Sequence, residues 1–128
     1  MAIDMNIKIL IVDDYDTMRM VIKNLLRQLN FTNTEEASDG AEALEKLNKD
    51  KFDLIISDWN MEPMTGIQLL REVRADDNLS DISFIMITAE VKSENVIAAK
   101  EAGVSNYIIK PFDAKTLKTE LIGVLGDF

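Results

Sequence analysis

Short apolar runs, each closed by a polar residue, alternate along this chain with stretches in which apolar residues recur at helical spacing. That alternation limits the folds open to the chain more than any other feature. Ile7 to Val12 is rich in β-branched residues and ends at Asp13-Asp14; Leu54 to Ser57 ends at Asp58; Phe84 to Ile87 ends at Thr88; Tyr107 to Ile109 ends at Lys110. Each is short enough to be a strand buried on both faces, which gives a continuous apolar run. Thr34 to Ala37 carries Glu35 and Glu36 and reads as an edge strand.

Between these runs, Met18, Val21, Ile22, Leu25, Leu26 and Leu29 form one stripe of a helix. Ala43, Leu44 and Leu47 form a second after Ser38-Asp39-Gly40, and Ile67, Leu70 and Val73 a third after Gly66. Ile97 with Ala98 marks a fourth, stopped near Gly103, and Leu117, Leu121, Val124 and Leu125 a fifth. Strict βα alternation predicts an α/β fold, a (βα)5 doubly wound five-stranded parallel sheet with helices on both faces. Such sheets bind ligands beyond the carboxyl ends of their strands, where the strand order reverses. Five βα units use all 128 residues. The expectation is therefore one domain over residues 1–128, with nothing left for an output domain.

Composition removes whole classes of chemistry. With no Cys there is no disulfide framework and no thiolate metal site, and with no His there is no imidazole catalysis. Carboxylates, hydroxyls and lysines remain. Fourteen basic against 23 acidic residues give a net charge of −9, and no basic run is present, which argues against nucleic-acid binding. No segment approaches the roughly 20 apolar residues of a membrane helix, and the first apolar run is too short for a signal peptide. A cytoplasmic location is expected.

Asp13-Asp14, Asp58, Thr88 and Lys110 each follow an apolar run, so a parallel sheet brings them to one edge. Taken singly, each acid could simply cap the next helix. Together, three carboxylates about 4–5 Å apart repel by on the order of 3–4 kcal/mol per pair at an effective dielectric near 20. Lys110 offsets part of this, and a hard divalent cation with oxygen ligands would offset the rest; Mg²⁺ suits a site with few carboxylates. Carboxylates, a cation, a lysine and a hydroxyl are the parts of phosphoryl transfer, with Asp58 as nucleophile. The chain has neither G-x-x-x-x-G-K-[ST] nor G-x-G-x-x-G, so the phosphoryl group must arrive from another molecule.

The segments ILIVDD (Ile9 to Asp14), IISDWNM (Ile55 to Met61), MITAE (Met86 to Glu90) and IIKPF (Ile108 to Phe112) resemble the receiver domains of two-component response regulators. Among these they are most similar to the CheY-like single-domain chemotaxis regulators. The resemblance implies a flavodoxin-like strand order 2-1-3-4-5, Asp58 as phosphoacceptor, and Mg²⁺ held by Asp13, Asp14, Asp58 and the backbone carbonyl of Asn60. It implies that Lys110 and Thr88 bond the phosphoryl oxygens, that Tyr107 switches inward with Thr88, and that Lys110-Pro111 is cis. Asn60 and Glu90 match positions that tune the lifetime of the phosphorylated state. The implied readout face is the fourth helix, fifth strand and fifth helix, with Val91, Val96, Tyr107, Ile109 and Phe112. The resemblance supplies a histidine kinase as donor, the flagellar motor switch as target, a phosphatase as a further candidate partner, and a monomer. Phosphorylation and dephosphorylation of itself would be its only catalysis.

The chain departs from the family at Met61-Glu62, where receivers usually carry Met-Pro; Pro63 stands one position later. Glu62 is expected to face water. Two other readings are open. A phosphate sink would share the Asp58 chemistry but not bind the motor. A small haloacid-dehalogenase-type phosphatase would use Asp14 and Asp16, although its motif is incomplete at Met18. The methionines at 18, 20, 61, 64 and 86 are expected to fill the core.

Overall fold

The computed structural model describes residues 6–62, 64–89 and 93–126. Five strands, β1 (Ile9–Val12), β2 (Thr34–Ala37), β3 (Leu54–Asp58), β4 (Ser83–Thr88) and β5 (Asn106–Ile109), alternate with five helices. These are α1 (Asp16–Gln28), α2 (Gly40–Lys49), α3 (Gly66–Ala75), α4 (Ser93–Ala102) and α5 (Ala114–Leu125). All strand pairs are parallel, in the order β2-β1-β3-β4-β5. The architecture and strand order are as expected from the sequence. β1 begins two residues later than the apolar run, and Asp58 and Thr88 are the last residues of their strands rather than the first beyond them.

Successive residues of a strand face opposite sides, so β1 splits its apolar run between two cores. Leu10 and Val12 join Ile55, Phe84 and Met86 beneath α2 and α3. Ile9 and Ile11 join Leu54, Ile56, Ile85 and Ile108 beneath Ile22 and Leu26 of α1 and Leu117 and Leu121 of α5. β2 has only Ala37 fully buried, as its glutamates require of an edge strand. Two helical expectations need correction. Val21 is 44% and Met20 62% exposed, because α1 buries the narrower stripe of Ile22 and Leu26 and leaves its flanks to solvent.

Helix ends are set by local chemistry. Asp39 caps α2, Asp113 caps α5, and Thr65 with Gln68 forms a capping box at α3. Tyr15, which precedes α1, gives it no side-chain cap. None of Asp13, Asp14 and Asp58 therefore caps a helix, so their position at the strand ends has another cause. No helix among the described residues is long and apolar enough to cross a membrane.

Candidate functional site

β1 and β3 lie side by side with Val12 opposite Ser57, which brings Asp13 beside Asp58 at the carboxyl edge. The chain turns from one sheet half to the other between these strands, the location where open α/β sheets hold ligands. Oxygens of Asp13, Asp14 and Asp58 lie within 4.8 Å of one another. They are the one such acid group found among the described residues. Asp13 and Asp58 are buried, whereas Asp14 is exposed.

Lys110, just past β5, enters from the other side: its Nζ donates to Asp58 Oδ1 at 2.9 Å and stands 4.0 Å from Asp13 Oδ2. The Lys110 N–H donates to the Thr88 carbonyl at 2.8 Å, and the Trp59 N–H donates to the Ile87 carbonyl at 2.9 Å. These bonds fix the ends of β3, β4 and β5 against one another. Thr88 is fully buried at the end of β4. The Lys110-Pro111 peptide is cis.

The two oxygens of Asp13 differ. Oδ1 accepts the Tyr15 N–H at 2.9 Å. Oδ2 is buried with no hydrogen-bond partner, Lys110 being too distant to bond it. Burial pushes the Asp13 carboxyl up to about 6; the Tyr15 N–H opposes that, the Asp58 charge adds to it, Lys110 opposes it and Asp14 adds to it. Desolvation, more than repulsion among the acids, is thus the larger cost at this residue. A buried, unpartnered carboxylate oxygen is expensive unless a cation satisfies it. The all-oxygen donor set and the orphaned Oδ2 fit Mg²⁺.

The other expected residues are distributed around this group. Asn60 is exposed two residues after Asp58. The half-buried Tyr107 meets Trp59 edge to face, with centroids 6.4 Å apart and planes at 71°. Ile109 is 45% exposed, and Val96 and Phe112 are half-buried. Glu90, Val91 and Pro63 lie outside the described residues. Glu62 faces solvent, as expected, and is not part of the acid group. Asp16 pairs with Arg19 and lies outside that group as well. A phosphatase that needs Asp16 beside Asp14 therefore lacks its second acid.

Reading the sequence missed three residues. Ile97, on α4, is 55% exposed, one of the exposed large apolar residues along with Ile109; it looked like core because it carried the α4 stripe. Gly66 allows α3 to start against the end of β3, since a Cβ there would lie 2.3 Å from the Asp58 carbonyl oxygen. A glycine opening a helix just after the acid was the available signal. Arg19 reaches the main chain of Asp13; a cation amid the apolar spacing of α1 was the only hint.

Comparison with known proteins agrees with this geometry. Residues 9–122 match the response regulator receiver domain. Chemotaxis protein CheY-3 of Vibrio cholerae is 56% identical over 116 residues, covering 91% of this chain and 89% of that protein. Chemotaxis protein CheY of Pseudomonas aeruginosa is 55% identical over 114 residues, covering 89% and 92%. Among solved structures, chemotaxis protein CheY4 of Vibrio cholerae superposes with a TM-score of 0.87 at 36% identity, covering 94% of this chain and 99% of that one. The receiver domain of a Pseudomonas aeruginosa sensor histidine kinase, described with a magnesium ion coordinated in its active site cleft, gives 0.85 at 27% identity, covering 95% and 99%. Sequence, fold and acid pocket converge, and the chain belongs to the response regulator receiver family as a CheY-like member of two-component chemotaxis signalling.

Proposed function

We propose that this protein is a phosphorylation-driven switch that accepts a phosphoryl group from a histidine kinase on Asp58 and carries the signal to the flagellar motor switch. The observation that carries this reading is the Lys110 ammonium 2.9 Å from Asp58 Oδ1, with Asp13 and Asp14 packed on the other side. Asp13, Asp14, Asp58 and the Asn60 carbonyl would hold Mg²⁺, which when bound neutralises charge on the acids and the incoming phosphoryl oxygens.

In transfer, an Asp58 oxygen forms a bond to phosphorus as the P–N bond to the kinase imidazole breaks, and the departing imidazole takes up a proton. Lys110 exchanges its carboxylate partner for a phosphoryl oxygen, and the Thr88 hydroxyl bonds another. In reversal, water attacks phosphorus, the P–O bond to Asp58 breaks, and inorganic phosphate leaves. Asn60 and Glu90 stand at the sequence positions to which the family resemblance assigns the lifetime of that phosphoryl group.

The new bonds to Thr88 and Lys110 differ between the two states, and only such a difference can shift a conformational equilibrium. Tyr107, two residues before Ile109 and in contact with Trp59, links the pocket to a face formed by α4, β5 and α5. Val96, Ile109 and Phe112 belong to that face, which meets the motor switch in the cytoplasm; Val91, which the resemblance assigns to the same readout, lies outside the described residues. The test is transfer from an autophosphorylated chemotaxis kinase followed by capture on the motor switch protein. Transfer to the unsubstituted protein and not to Asp58→Asn, with capture only of the phosphorylated form, is expected. Transfer without any gain in capture would leave a phosphate sink, and transfer to Asp58→Asn would overturn the site.

A further inference from the structure

Arg19 is the least exposed cation near the acid pocket that does not enter it. Its side chain is only 12% exposed, and its guanidinium reaches three elements. Nη1 donates to the main-chain carbonyl of Asp13, Nε donates to Glu36 Oε1 on β2 at 3.1 Å, and Nη2 pairs with Asp16 Oδ1 at the start of α1.

The carbonyl that Arg19 holds belongs to the peptide joining Asp13 to Asp14. The Asp13 N–H donates to the Ala37 carbonyl at 3.1 Å, and Asp13 Oδ1 accepts the Tyr15 N–H at 2.9 Å. With Arg19 gripping the carbonyl, the Asp13 unit is held at its N–H, its C=O and one carboxylate oxygen. Only Oδ2 is left over, buried and pointing toward Lys110 and the other acids. Rotation of this one peptide would swing Asp14 away and turn Oδ2 aside.

We infer that Arg19 is a positioning residue for the acid pair. By fixing the Asp13-Asp14 peptide it sets the protein's affinity for a divalent cation without touching the cation. A guanidinium suits the task because its planar fork supplies donors in fixed directions, which a lysine ammonium does not. Asp16 and Glu36 take the fork's two other arms, and Lys23 stands 3.9 Å from Glu36 Oε2, so Glu36 keeps a cation when Arg19 is substituted.

This inference rests on the reading of Asp13 and Asp14 as Mg²⁺ acids, and its test separates the two. Mg²⁺ affinity is measured by titration calorimetry on the unsubstituted protein and on Asp13→Ala, Arg19→Met, Arg19→Lys, Asp16→Asn and Glu36→Gln. Arg19→Met is expected to bind Mg²⁺ about ten-fold or more weakly, within the range seen when groups that orient metal ligands are removed. Arg19→Lys, which keeps the charge but not the fork and serves if the Met variant does not fold, is expected to weaken binding to a similar extent. Asp16→Asn and Glu36→Gln keep the bond to the Asp13 carbonyl and are expected to stay within about three-fold of the unsubstituted protein.

A merely structural role would lower stability to urea and leave the Mg²⁺ affinity of the folded protein unmoved. Affinity within two-fold for folded Arg19→Met or Arg19→Lys would overturn the inference, as would equal losses in Asp16→Asn and Glu36→Gln. Mg²⁺ binding abolished by Asp13→Ala but indifferent to Arg19 would leave the site and remove only the positioning role. No Mg²⁺ binding by the unsubstituted protein would remove both.

Discussion

Asp13 shows what the acid pocket costs. Its folded form keeps a proton up to about pH 6 because burial disfavours the charge, whereas an ordinary aspartate loses it near 3.8. Between these values the folded state binds more protons than the unfolded one, so metal-free stability falls as pH rises and the loss is complete above the folded value. The penalty at neutral pH is on the order of 3 kcal/mol. In chelator, urea unfolding of Asp13→Asn at pH 7 should show a stability gain of about that size, with the decline between pH 4 and 6 flattened. An Asn variant no more stable than its parent would mean that the carboxylate is not strained. Gly66 is a second residue whose identity geometry dictates. An added Cβ would meet the Asp58 carbonyl oxygen at 2.3 Å and Met86 Sδ at 2.8 Å. Gly66→Ala should destabilise the fold by about 1–3 kcal/mol, the usual cost of overpacking, read as a lower urea midpoint. An unchanged midpoint would contradict the close approach. Neither Arg19 nor Gly66 was legible as a site residue, because each acts on main-chain carbonyls that no side-chain pattern records.

At the scale of elements, the strands were the most legible part of the chain. Ile9 to Val12 and Leu54 to Ile56 are covered on both faces, so burial imposes an unbroken apolar run. The helices were legible in number and less so in facing: spacing gave α1 its direction but not the width of its buried stripe, hence Met20 and Val21 in solvent. α4 was the weakest reading, since its apolar residues Val96 and Ile97 do not reach the core as Ala99 does. Helix ends follow a simpler rule. Asn30, with φ of 73°, ends α1 in the left-handed conformation, its N–H bonded to the Arg27 carbonyl and the Phe31 N–H to that of Leu26. Gly103, with φ of 94°, ends α4 with the equivalent bonds to Lys100 and, through Val104, to Ala99. Glycine adopts this conformation without the steric cost an L side chain carries. Asn30→Gly should therefore stabilise the protein by up to about 1 kcal/mol in thermal or urea unfolding. A loss of stability would show that the Asn30 side chain contributes more than its backbone strain removes.

The whole molecule divides its labour by the sheet. One core, beneath α1 and α5, and another, beneath α2 and α3, clamp five short strands, and all of the candidate chemistry lies at their carboxyl edge. That edge was legible because four apolar runs end in polar residues and a parallel sheet aligns such ends. What lay beyond the sequence was the balance of forces there: repulsion among three acids was foreseen, while the larger burial cost at Asp13 needed the packing. The pocket is therefore a place where folding stability is given up for charge, and the proposed use of that charge is to receive a phosphoryl group on Asp58. Intact mass spectrometry after incubation with acetyl phosphate and Mg²⁺, followed by peptide mapping, tests this most directly. A single phosphoryl adduct on Asp58, absent in Asp58→Asn and retained in Asp16→Asn, is the predicted result; an adduct on Asp14, or none on the unsubstituted protein, would contradict it.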